Sequence, residues 1–197
     1  MGHKKFFNHI KKRGKGMQSI TFAVTGAFNE HKKAYREIIN LLKDYEIRLA
    51  FSETVMEESP EFVEKCELAV SSKCLNKLEK SVQLDRARTS SMLVIAPCTG
   101  NTLSKIANAI SDNTVTMLAK THMRNNNPIV LAISTNDGLG LNMYNLARLM
   151  NTKNIYFVPF KQDDYKNKPK SLMSDFSLIE QTIKQAEKNI QHQPVLL

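Results

Sequence analysis

The side chains best placed to do chemistry in this sequence follow short apolar runs. In Thr25-Gly26-Ala27-Phe28-Asn29, the glycine permits close backbone approach, and a helix behind it would offer free N–H groups to an anion. This is a phosphate seat or simply a turn, because the full G-x-G-x-x-G of dinucleotide folds is absent. Ser52 and Thr54 supply hydroxyls suited to phosphate oxygens or a ribityl chain, and equally to a helix cap. In Pro97-Cys98-Thr99-Gly100-Asn101-Thr102, proline is expected to end a strand and glycine to free the backbone, while Asn101 and Thr102 either cap the next helix or address a ligand. Cys98 stands near a helix N-terminus, which can lower a thiol pKa, although cysteines beside a buried strand are mostly inert packing. Asn136, Asn142, the Thr99 hydroxyl and loop N–H groups could bind carboxylates through neutral hydrogen bonds, with Arg124 and Lys153 adding charge. Asp137 has the clearest claim among the acids to proton transfer, but Asp137-Gly138 is also a turn signature.

These stretches need a frame that brings them together, and the hydrophobic pattern provides one. Apolar runs at 20–24, 47–51, 92–96, 129–133 and 155–159 read as buried strands. Helical spacing covers 30–43, 101–110, 113–123, 141–150 and 174–189, and Ser59-Pro60 has the order that opens a further helix. Alternation of this kind predicts a three-layer α/β fold with a doubly wound parallel sheet. In such folds ligands sit beyond the carboxyl ends of the strands, where the candidate loops would lie. The polar, proline-marked stretch 161–170 reads as a surface loop or lid, and the tail 191–197 as a segment that docks on a neighbour.

Composition narrows the function classes. A chain of 197 residues accommodates one sizeable core, so 17–197 is expected to form a single domain behind a flexible basic arm, 1–16. The net charge of +9 invites a nucleic-acid reading, but Lys4, Lys5, Lys11, Lys12, Arg13 and Lys15 all precede Met17, leaving a mildly basic body with no nucleic-acid motif. No apolar run approaches the ~20 residues of a spanning helix. The three cysteines fit reduced thiols in a cytoplasmic protein, and the five histidines lack metal-ligand spacing, so no metal is expected.

The 97–102 motif, P-C-T-G-N-T, resembles the P-A-S-A-N-T of the flavoprotein family that includes the FMN-dependent cysteine decarboxylases, and the similarity continues through K-I-A-N-A-I-S-D-N at 105–113. The resemblance implies a Rossmann-like fold with FMN contacts at Gly26, Ala27, Ser52, Pro97, Thr99, Asn101 and Thr102; Thr54 and Cys98 share the same loops. Two departures argue against cysteine decarboxylation. The decarboxylases carry a histidine about fifteen residues before the motif proline, where this sequence has Val82 and Gln83, and their P-x-M-N loop is replaced by Ser134-Thr135-Asn136-Asp137. The stretches S-T-N-D-G-L-G-L-N at 134–142 and M-N-T-K-N-I-Y-F-V-P-F at 150–160 instead resemble the dipicolinate-forming branch of the family. That branch implies an oxidoreductase subunit contributing to oxidation of dihydrodipicolinate to dipicolinate during sporulation, a small dicarboxylate substrate, self-association, and a dehydrogenase-like A subunit that brings NADP. The alternative is a flavin-free accessory subunit. No catalytic residue stands out; Asn101 and Asp137 are the candidates.

Overall fold

Each buried strand presents alternate residues to two faces, and in this chain both faces are apolar, so each must be covered by helices. The structure, a computed structural model, describes residues 17–75 and 90–197. The basic arm and the segment with Val82 and Gln83 lie outside those residues.

Strands β1 (Ser19–Val24), β2 (Glu46–Phe51), β3 (Met92–Cys98), β4 (Ile129–Thr135) and β5 (Ile155–Phe157) are parallel, with β1 between β2 and β3, and β4 between β3 and β5. All five coincide with the apolar runs of the sequence. Helices α1 (His31–Leu41), α3 (Pro60–Val70) and α7 (Ile179–Ala186) bury Ile38, Val63 and Ile183 on one face of the sheet, against Phe22, Leu49 and Val94. On the other face α4 (Gly100–Ala107), α5 (Thr114–Arg124) and α6 (Asn142–Met150) bury Leu103, Leu118 and Leu146 against Leu93, Leu131 and Phe157. Each such side chain contributes about 1.5–3 kcal/mol on leaving water. The short α2 (Glu53–Glu58), which the periodicity does not announce, follows β2 directly.

The three-layer, doubly wound Rossmann-like fold is as expected, and three details differ. Pro97 does not end its strand: β3 continues to Cys98, and the register slips between Ile95, opposite Leu131, and Cys98, opposite Ile133. The irregularity absorbs the missing proline N–H. The sheet is mixed rather than wholly parallel, because two short strands, β6 (Phe160–Lys161) and β7 (Leu172–Ser174), flank the 161–170 stretch, β7 lying antiparallel to the end of β4. The tail docks on its own sheet. The Gln191 side chain accepts from Phe157 N (2.8 Å) and donates to Phe157 O (2.7 Å), while Phe160 N donates to Val195 O (3.0 Å). These bonds cover an edge that would otherwise be open to pairing.

Candidate functional site at the β1–β3 crevice

The chain leaves β1 for β2 on one side and reaches β3 on the other, so the strand order reverses beside β1, where ligands of open α/β sheets bind. The loops after β1 and β3 are held together there by one side chain. Thr25, 1% exposed, donates its hydroxyl to Pro97 O (2.9 Å) and accepts from Thr99 N (3.1 Å). Thr99 is the N-cap of α4: its Oγ1 accepts from Thr102 N (3.3 Å) and donates to Thr102 Oγ1 (3.1 Å). Among the described residues the backbone N–H groups of Gly26, Gly100 and Asn101 have no acceptor. Two neighbouring loops therefore offer three donors beside a helix N-terminus, with Lys105 the nearest cation in the α4 sequence and already paired with Asp112 (2.9 Å).

The other candidate loops adjoin this pair. A β-carbon on Gly26 would lie 3.7 Å from Thr54 Cγ2, an ordinary contact, so the fold does not itself demand glycine there. At Gly100 a β-carbon would come within 2.5 Å of Thr135 Oγ1 and 2.7 Å of Asn142 Nδ2, so glycine lets the start of α4 press against the 134–142 loop. Ser52 takes the helix-cap role, accepting from Val55 N (3.4 Å), and Thr54 is exposed on α2. Asn101 and Asn136 are exposed, Ala27 and Asn142 half-buried, and Asn142 Oδ1 accepts from Asn145 (3.0 Å). Asp137 sits in a turn: its N–H donates to Thr135 Oγ1 (3.2 Å), its carbonyl accepts from Gly140 N (3.1 Å), and its carboxylate occupies the space beside Gly140.

Cys98 is wholly buried, and burial pushes its thiol up to about 12, so it packs in the core and supplies no thiolate. Arg124 and Lys153 do not join the crevice. They precede β4 and β5 and so lie at the amino ends of the strands, where Lys153 lines a cleft of about 710 Å³ with Asn126, Asn154 and Asn189. Their position is legible in the chain, since a residue just before a strand cannot stand with residues just after one.

Three further side chains shape the crevice without a clear signal in the sequence. Thr25 stands out there only as part of its loop. His31, the first residue of α1, is 6% exposed and reaches back to the Thr25 carbonyl (Nε2 to O, 3.2 Å); burial lowers its pKa. Glu53 accepts from Thr114 N (3.2 Å) and Thr114 Oγ1 (3.3 Å), joining the β2 loop to the start of α5, where a carboxylate complements the helix dipole. Only a hydroxyl or imidazole beside a turn hints at the first two, and nothing local hints at the third.

An α/β sheet with unpartnered backbone donors at the reversal beside β1, flanked by a hydroxyl-capped helix, is a Rossmann-like architecture whose crevice holds the kind of donors an anion requires. The flavoprotein family profile matches residues 8–185, and the chain belongs to that family. It is 40% identical to the B subunit of dipicolinate synthase from Bacillus subtilis (strain 168) over 185 residues, covering 90% of this chain and 92% of the relative. The crystal structure of the dipicolinate synthase B subunit from Bacillus halodurans C superposes with a TM-score of 0.86 at 36% identity, covering 91% of this chain and 96% of that one. Burkholderia xenovorans DmrB in complex with FMN shares the fold, with a TM-score of 0.62 at 17% identity over 73% of this chain and 89% of that one. Among the described residues no group of His, Cys, Asp and Glu could hold a metal, and no helix is long and apolar enough to cross a membrane.

Proposed function

We propose that this chain is the flavoprotein-fold subunit of a dipicolinate synthase, contributing to the oxidation of dihydrodipicolinate to dipicolinate in sporulation and holding an FMN-type group at the β1–β3 crevice. The observation that carries this reading is the set of unpartnered N–H groups at Gly26, Gly100 and Asn101 beside the Thr99-capped helix, a donor set suited to a phosphate monoester. Gly26, Ala27, Pro97, Thr99, Asn101 and Thr102 would hold the group, with Ser52 and Thr54 alongside and the buried Cys98 packing beneath. Bound FMN supplies a two-electron acceptor.

Aromatising the dihydropyridine ring removes a hydride equivalent and a proton. Oxidised NADP on a dehydrogenase-like A subunit would be the final acceptor of that one hydride equivalent, relayed through the flavin site, and the small dicarboxylate would be held in part by Asn136 and Asn142. Self-association and a cytoplasmic location complete the proposal.

The second reading is a flavin-free accessory subunit that works only in complex with the dehydrogenase. It is favoured by the crevice chemistry: the loops 25–29, 97–102 and 134–142 contain a single acid, Asp137, held in a turn, and no histidine, while the adjoining Glu53 and His31 are engaged with Thr114 and the Thr25 carbonyl. An absorbance spectrum of the purified protein from ~350 to ~500 nm, followed by FMN titration, separates the two. Bound or titratable flavin supports the first. Absence of both, with co-purification of a dehydrogenase, establishes the second.

A further inference from the structure

The Thr25 carbonyl accepts two hydrogen bonds, from Ala27 N (2.9 Å) and from His31 Nε2 (3.2 Å). A carbonyl only accepts, so His31 carries its proton on Nε2. The imidazole is fixed by aromatic neighbours on two sides, stacked on Phe62 (centroids 4.3 Å, planes 24° apart) and edge-on to Phe28 (5.1 Å). The α1 N-terminus receives no side-chain cap from Glu30, so this backward bond is the contact its first residue makes to the turn.

The Thr25–Gly26 peptide is trans, and in a planar trans peptide the C=O and N–H point in opposite directions. Holding the Thr25 carbonyl toward the buried His31 ring therefore turns the Gly26 N–H away from it. The same residue's hydroxyl ties the turn to Pro97 and Thr99. We infer that His31 is a positioning residue for the anion seat: its Nε2–H fixes the Thr25–Gly26 peptide plane and so presents the Gly26 donor to the bound phosphate. The phosphate part of this inference rests on the reading above; the setting of the turn does not.

The full-length chain with two substitutions tests it. His31→Phe keeps a ring between Phe28 and Phe62 but removes the donor; His31→Gln keeps a donor and removes the ring. FMN affinity by fluorescence titration is expected to fall roughly tenfold in His31→Phe and to recover to within about threefold in His31→Gln, the scale of one lost hydrogen bond. Val70→Ala, a destabilising change in α3 remote from the turn, serves as the control and is expected to leave FMN affinity unchanged. Amide exchange is expected to quicken at Ala27 and Thr99 in His31→Phe and not in His31→Gln. Wild-type affinity and exchange in His31→Phe would overturn the inference. So would an equal loss of affinity in both variants, matched by Val70→Ala at the same loss of melting temperature. Should the wild-type chain bind no FMN, the flavin reading fails, and the amide exchange pattern still decides the role of His31 in setting the turn.

Discussion

Strands β1 and β3 carry a cluster of hydroxyls at each end, and the two clusters differ in what they leave unsatisfied. At the amino end Ser90 Oγ accepts from Thr21 N (3.1 Å), faces Thr21 Oγ1 (2.7 Å) and has Met92 O (2.9 Å) and His122 Nε2 (3.1 Å) as two acceptors for its single proton, while His122 Nδ1 donates to Leu118 O (2.9 Å). Thr21, Ser90 and His122 are each at most 2% exposed. This network is closed, and its role is to pin the start of β3 to α5. At the carboxyl end Thr25, Thr99 and Thr102 are just as well bonded to each other, yet the surrounding N–H groups of Gly26, Gly100 and Asn101 are not. Helices α1 and α4 begin there, whereas α5 and α6 finish at the opposite end. Hydroxyls alone do not mark a site; spare donors beside a helix start do.

The widest separation between the two ends should come from His122→Ala. Loss of a buried ring and of partners for Ser90 and Leu118 is expected to cost about 2–4 kcal/mol in urea unfolding while FMN affinity stays unchanged. Thr25→Val keeps the shape and strands the Thr99 N–H. It should cost about 1–3 kcal/mol and also weaken FMN roughly tenfold, a double effect the amino-end substitution does not show.

Both ends hold a buried histidine, and at the closed cluster the pH dependence can be read from His122. Burial lowers the pKa of His122, so the unfolded chain, titrating near ~6.5, binds more protons below that pH than the fold does. Its contribution is complete above ~6.5 and declines as the pH falls, by at most about 1.4 kcal/mol per pH unit. Urea midpoints from pH 7.5 to 5 should fall more steeply for the wild type than for His122→Leu.

Smaller effects are expected at the thiols and at the exposed part of the crevice. Cys66, Cys74 and Cys98 are all pushed up to about 12 by burial, so Ellman's reagent at pH 8 should titrate none of them until denaturant is added. Asn101→Ala, at an exposed residue whose side chain makes no hydrogen bond among the described residues, should change stability by less than about 0.5 kcal/mol while weakening FMN about fivefold. Unchanged FMN affinity there would restrict the seat to backbone donors.

Much of this arrangement is legible in the chain. The runs 92–96 and 129–133 are apolar on both faces, which suits strands buried between helices, and the motif 97–102 follows directly from the first of them. Short elements are not legible: β6 and β7 have two and three residues, too few for a period to show, and β7 depends on pairing with β4 and β6 on pairing with β7. Charge groups Arg124 and Lys153 with the crevice, although their place before β4 and β5 sends them to the far end.

Local pattern thus determined which segments become strands and helices, and that their carboxyl-end loops hold glycine, hydroxyl and amide side chains, because periodicity and turn chemistry are properties of neighbouring residues. Tertiary structure alone decided that Thr25 clamps Thr99 across 74 positions, that His31 turns back on Thr25, and that Ser90 closes with His122 while Gly26 is left with a donor to offer. Which hydrogen bonds are satisfied depends on what the fold brings within about 3 Å, and that distance is set by packing rather than by position in the chain.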